Sequence, residues 1–157
     1  MITLTVDKKT QEKLQKYLSD NRFKHILGEV LMAAGFDLEG KIVENIAERA
    51  TNTGRLLQSW HVVKKSNTRV EVRSNVHYAQ YVEFGTKPHR PPIEPLKKWV
   101  RQKFRLSGKK LNNTAWAMWH KIARKGTPAK RYLRDALKDF DLNEYVRELV
   151  KEWENVR

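Results

Sequence analysis

Five histidines (His25, His61, His77, His89 and His120) and one carboxylate set among aromatics, Glu83, are the side chains here best suited to proton transfer or metal binding. Zinc and iron sites draw ligands from paired positions a few residues apart. These histidines are scattered without that pairing, so no metal is expected. Glu83 lies between Val82 and Phe84 with His77 and His89 on either side in sequence, where a general base is conceivable. A base needs a partner and a cleft, and the pattern supplies neither. The expected role of Glu83 is structural: a salt bridge, or hydrogen bonds to backbone amides of the following turn. The absence of cysteine excludes thiol nucleophiles, thiolate metal sites and disulfides, and suits a protein made in a reducing cytoplasm. The single glycine of Gly54-Arg55-Leu56-Leu57-Gln58-Ser59 reads as a turn, not as a phosphate loop. The expectation is therefore no catalytic residue, no cofactor and no enzyme.

The densest pattern is Ser74-Asn-Val-His-Tyr-Ala-Gln-Tyr-Val-Glu-Phe-Gly-Thr-Lys-Pro-His-Arg-Pro-Pro-Ile93. Tyr78, Tyr81, Val82 and Phe84 fall at helical spacing. Gly85 can take the left-handed conformation that stops a helix, and Pro88, Pro91 and Pro92 forbid its continuation. A short aromatic helix followed by a stiff, exposed arm over about 86–95 is expected. The arm, with Thr86, Lys87, Pro88, His89, Arg90, Pro91 and Pro92, is the candidate surface for another protein.

Residues 87–134 hold fifteen Lys or Arg against one acid, Glu94, while the remainder of the chain is balanced, so this block accounts for the whole formal net charge of +14. Such a block attracts DNA phosphates or an acidic protein face; a merely solvated helical face is the plain alternative. Lys97, Lys98, Arg101, Lys103, Lys109 and Lys110 are the candidate contacts to DNA or to an acidic partner. Trp99, Trp116, Trp119 and Phe104 interleave with these charges and suit stacking, core packing or interface anchoring.

These groups need elements to position them. Ile2-Thr-Leu-Thr-Val6 alternates like a short strand, and Asp7 could cap a helix carrying Leu14, Tyr17 and Leu18. Ser19-Asp20-Asn21 reads as a break with a fresh cap. One long amphipathic helix then runs from Phe23 to about Ala50. Gly28, Gly35 and Gly40 weaken it, implying a closely packed helix or a kink near Gly35-Phe36. Leu57–Lys64 and Thr68–Arg73 predict a hairpin with Trp60, Val62, Val70 and Val72 on its apolar face. Toward the C-terminus a helix with Pro95 in its first turn is expected, then one capped by Asn112 or Asn113. A third begins at Thr127-Pro128, and a last one is capped by Asp141. The fold class is α+β, a small antiparallel hairpin sheet packed against a long N-terminal helix with several shorter C-terminal helices. It is expected as one domain over 1–157, with a basic helical block at about 97–134. No membrane span and no signal peptide is expected.

In that order, the long N-terminal helix, Gly54-Arg55-Leu56 with Ser59-Trp60 leading into a hairpin, the block Ser74–Thr86 ending in Val-Glu-Phe-Gly-Thr, and Thr127-Pro-Ala-Lys-Arg-Tyr-Leu-Arg-Asp-Ala-Leu137 resemble the tail-completion or head–tail joining proteins of long-tailed bacteriophages. The resemblance covers roughly residues 22–138. It implies a virion structural protein, made in the host cytoplasm, that assembles as a ring, usually hexameric, between head connector and tail tube, close to packaged DNA and away from membranes. On the same resemblance Gly54, Arg55, Tyr78, Tyr81, Glu83, Phe84 and Gly85 shape the domain, and the arm reaches a neighbouring subunit or an adjoining ring. Residues 97–126 are longer and more basic than the resemblance leads one to expect.

Overall fold

A computed structural model describes residues 8–50 and 53–156. The expected strand at 2–6 and the cap at Asp7 lie outside the described residues. The order is α1 (Lys8–Gln15), α2 (Asn21–Arg49), a 3-10 turn (Leu57–Ser59), β1 (Trp60–Ser66), β2 (Arg69–Ser74) and α3 (Ala79–Phe84), followed by α4 (Ile93–Phe104), α5 (Gly108–Lys125), α6 (Tyr132–Lys138) and α7 (Leu142–Val156). The fold is mixed α+β and mostly helical.

Helix α2 begins where Asp20 accepts hydrogen bonds from the Arg22 and Phe23 amides at 2.8 and 3.3 Å, satisfying donors that have no partner within the helix. Its 29 residues run as one helix through all three glycines. The close approach comes from the hairpin and not from a second helix: a Cβ on Gly35 would sit 2.8 Å from Val62 Cγ1, and one on Gly28 would sit 3.0 Å from Lys64 Cε. Gly35 thus admits the apolar face of the antiparallel pair, in which Val62 faces Val72 and Lys64 faces Val70, with an irregularity between Lys64 and Ser66. Leu57 to Ser59, expected as strand, coil instead into the 3-10 turn, where the Ser59 hydroxyl donates to the Leu56 carbonyl at 2.7 Å.

Gly40 differs from its neighbours. A Cβ there would meet nothing within 4 Å. Gly40→Ala should therefore raise stability by about 1 kcal/mol, the usual helix-interior difference; a urea midpoint unchanged or lowered would contradict this.

Apolar packing divides in three. Leu38, Ile42 and Ile46 of α2 meet Trp60, Val72, Ala79, Tyr132 and Ala136 in the main core. The first half of α2 packs through Phe23 and Leu27 on Leu14 of α1 and on Val146, Leu149 and Val150 of α7. Helices α4 and α5 enclose a separate small core of Val100, Leu111 and Ala115. The basic block is thus a helical hairpin with apolar packing of its own.

Two helix starts differ from expectation. Helix α5 begins at Gly108 after Ser107, not at Asn112 or Asn113, which lie inside it. Helix α6 begins at Tyr132, not at Thr127-Pro128. Thr127 is held in a β-bridge to Thr86, and the amides of Lys130 and Arg131 are taken by the Val82 and Glu83 carbonyls, so the chain stays extended for those residues. Asp141 does cap α7, accepting from the Asn143 amide at 2.9 Å.

Candidate partner interface

Helix α3 turns its aromatic side outward. Tyr81 is 56% and Phe84 75% exposed, whereas Ala79 and Glu83 are buried. This orientation has an electrostatic cause. Arg131, the residue before α6, takes positive φ and offers no side-chain cap. The Glu83 carboxylate fills that place, accepting from the Leu133 amide at 2.8 Å and the Arg134 amide at 3.0 Å. A carboxylate against free amides at a helix start is favoured by both hydrogen bonding and the helix dipole. Glu83 therefore binds backbone amides as expected, but those of a helix fifty residues away and not of the following turn.

Tyr132, next to this cap, donates its hydroxyl to the Ala79 carbonyl at 2.9 Å and stacks edge-on against Trp60. Burial, reinforced by the nearby Glu83 charge, pushes its phenol well above the ordinary tyrosine range. The folded-state value exceeds the unfolded one, so this contribution is complete below about pH 10 and is lost as pH rises through deprotonation of the folded state. Urea midpoints should fall above about pH 10, and Tyr132→Phe should flatten that decline. An identical alkaline slope in both proteins would refute the assignment.

Past α3 the chain narrows to a neck. Gly85 leaves the helix at φ 73°. The Thr86 amide then donates to the Thr127 carbonyl at 3.0 Å, the Thr127 amide donates to Thr86 Oγ1 at 3.0 Å, and the two hydroxyls lie 2.9 Å apart. Gly126, at φ 71°, completes the return. Neither glycine can carry a side chain here: a Cβ on Gly85 would fall 2.4 Å from the Thr127 carbonyl oxygen, and one on Gly126 would fall 1.8 Å from that of Thr86. Everything between these glycines is the α4–α5 hairpin with its proline arm.

The arm is tied back along one edge. The His89 amide donates to the Ile122 carbonyl at 3.4 Å, and the Trp119 indole donates to the Pro91 carbonyl at 2.7 Å. Lys87, Pro88, His89, Arg90 and Pro92 remain exposed, with Thr86 and Pro91 half-buried.

Between neck, hairpin and α3 lies a trough of about 1060 Å³. Tyr78, Tyr81, Val82, Pro88, Pro91, Trp99 and Ile122 are its apolar lining, and Lys87, Lys103 and Lys130 line it too, with Arg49, which pairs with Asp135 at 2.6 Å. A smaller cavity of about 400 Å³ shares Tyr78, Val82 and Trp99 and extends to Gly54 and Arg55. The fold thus gathers Gly54, Arg55, Tyr78, Tyr81 and the arm around one concavity. Lys98, Arg101, Lys109 and Lys110 are exposed on the hairpin and do not line it, and Lys97 is paired with Glu94 at 2.8 Å. Trp116, 46% exposed, stacks edge-on with Trp119 at 5.6 Å on the outer side of α5. Among the described residues no group of side chains is arranged to hold a metal ion, and no helix is long and apolar enough to cross a membrane.

Residues 8–85 match a family model described as "Bacteriophage HK97-gp10, putative tail-component". Over residues 8–85 the chain belongs to the HK97-gp10-like family. Neither a curated protein nor a solved structure matches it. The HK97-gp10-like match starts at α1, earlier than the motif resemblance, and stops at Gly85, where the neck begins. The basic hairpin lies wholly beyond the matched span. Family membership puts the chain among phage tail components, structural proteins of the virion that work in contact with other virion proteins.

The sequence does not single out Arg49 and Lys130 as parts of this surface, nor Gly126 as part of the neck. A signal for the neck was nevertheless there: Gly85-Thr86 and Gly126-Thr127 are two Gly-Thr pairs, each closely followed by proline, at the two ends of the basic block.

Proposed function

We propose that this protein completes the phage tail, or joins it to the head connector, by assembling as a ring, and that it does so without catalysis. The observation that carries the reading is the match of residues 8–85 to a tail-component family, whose matched span supplies Arg49, Tyr78, Tyr81 and Val82 to a concave, aromatic and basic surface. Binding through shape and charge suits such a surface, because it combines aromatic anchors with arginine and lysine at the rim. The proline arm and trough are the parts that would meet neighbouring subunits or the tail tube. Phage carrying a stop codon early in this gene should yield filled heads and separate tails that fail to unite. Normal infectious particles from that mutant would sink the reading.

A second reading concerns the outer side of the hairpin. Lys98, Arg101, Lys109 and Lys110 are exposed with no carboxylate near them in sequence except Glu94, which Lys97 engages. In a ring around the DNA path these cations would face phosphate. Duplex affinity should then fall steeply with salt, at about 0.9 log units per log unit for each phosphate neutralised. Affinity indifferent to salt would dismiss it.

A further inference from the structure

The trough has a counterpart on the same molecule. Ala33, Phe36, Asp37, Gly40 and Glu44 recur at three- and four-residue intervals on α2, which sets them on one side of the helix, and all five are exposed. Phe36 is 54% exposed, and Gly40 leaves bare backbone beside it. Helix α7 adds carboxylates: Tyr145 donates to Asp37 Oδ2 at 2.6 Å, and this bond, with burial and the adjacent charges of Glu144 and Glu148, pushes its phenol up to about 12. Lys41, the cation nearest in sequence, is turned to the Asp139 carbonyl at 2.9 Å. The stripe is therefore apolar with acidic edges, whereas the trough is apolar with basic edges.

These two surfaces cannot meet within one chain. Phe36 and the trough residue Arg49 are thirteen residues apart on one continuous helix, about 20 Å at the usual rise. We infer that the acidic stripe of α2 around Phe36 docks in the basic, aromatic trough of a second copy of this chain. Two different patches meeting head to tail make a heterologous contact, which closes into a ring when the rotation allows and otherwise continues as a filament. A second copy's proline arm is a poorer occupant, since Lys87 and Arg90 would be brought against a rim of like charge. The inference rests on the assembly reading above and names the surfaces by which it occurs.

Sedimentation velocity on the full chain tests it. The wild type should associate at low salt and come apart near about 1 M salt, where screening acts within about 3 Å. Asp37→Lys with Glu44→Lys, and separately Lys87→Glu with Lys130→Glu, should each weaken association by roughly 100-fold or more, through like-charge contact. An equimolar mixture of the two variants should associate again, because each inverted surface then meets its opposite. A wild type that stays monomeric at low salt, variants that associate as the wild type does, or a mixture that fails to recover would each overturn the contact. If an inverted variant does not fold, the absence of native cysteine permits a second measurement. Glu44→Cys protein mixed with Lys130→Cys protein should form a cross-linked pair faster than either alone, and equal rates would overturn the inference. Loss of this contact combined with the head-and-tail phenotype would leave the tail reading standing on another surface, whereas normal particles without the gene would remove that reading itself.

Discussion

Gly126→Ala should cost about 3 kcal/mol or more, the largest effect expected of any single methyl group added to this chain. The added carbon would lie 1.8 Å from the Thr86 carbonyl oxygen and 2.8 Å from the Lys87 carbonyl carbon, and both obstacles are backbone. Rotating a side chain cannot relieve them. Positive φ adds roughly 1–2 kcal/mol for a residue with a Cβ. Relief requires the Thr86–Thr127 pairing to open, so the damage should concentrate at the neck. Amide exchange at Thr86, Lys130 and Arg131 should accelerate sharply while the Phe23 and Leu27 region of α2 stays protected. A variant within about 0.5 kcal/mol of wild type, the ordinary range for surface changes, would show that the neck is not closed as described.

Glu83→Gln should cost about 1.5–3 kcal/mol, the range for hydrogen bonds to a charged group at a buried position. The amide keeps one acceptor oxygen for the start of α6 and exchanges the other for a donor facing a donor. The favourable charge at the helix N-terminus is lost as well. Glu83→Ala should cost at least as much, and Asp, one carbon shorter, should not rescue it. Urea unfolding of the three variants measures this. If all three match the wild type, the carboxylate is not the cap of α6.

Both predictions concern the same junction, and its position matters for function. The family-matched body ends at Gly85, and the α4–α5 hairpin leaves and returns through the Gly85 and Gly126 neck. Such a connection lets the hairpin be held apart from the main core, because it packs on Val100, Leu111 and Ala115 of its own. Charge follows the same division, with the entire net positive charge lying between residues 87 and 134.

Period and punctuation were enough to read much of this chain. The cap at Asp20, the long helix to Arg49, the paired valines of the hairpin, the stop at Gly85 and the cap at Asp141 all follow from neighbours within about four residues, the range over which local propensity acts. Helices in the basic block were legible for the same reason, although the start of α5 at Gly108 was not. What composition and spacing could not supply was direction. The aromatic spacing of α3 does not say which side is buried; Tyr81 and Phe84 face out because Glu83 is drawn inward by amides of α6. Thr127-Pro128 has the local form of a helix start, yet Thr86 holds it extended across forty-one residues. The glycines of α2 signalled close approach, but only the packed hairpin decided that strands, and not a helix, make it. Local sequence determined the elements and their ends. Tertiary structure decided which side of each element is buried and which distant backbone groups become partners, because unsatisfied amides and carbonyls must be paired wherever the fold brings them out of water.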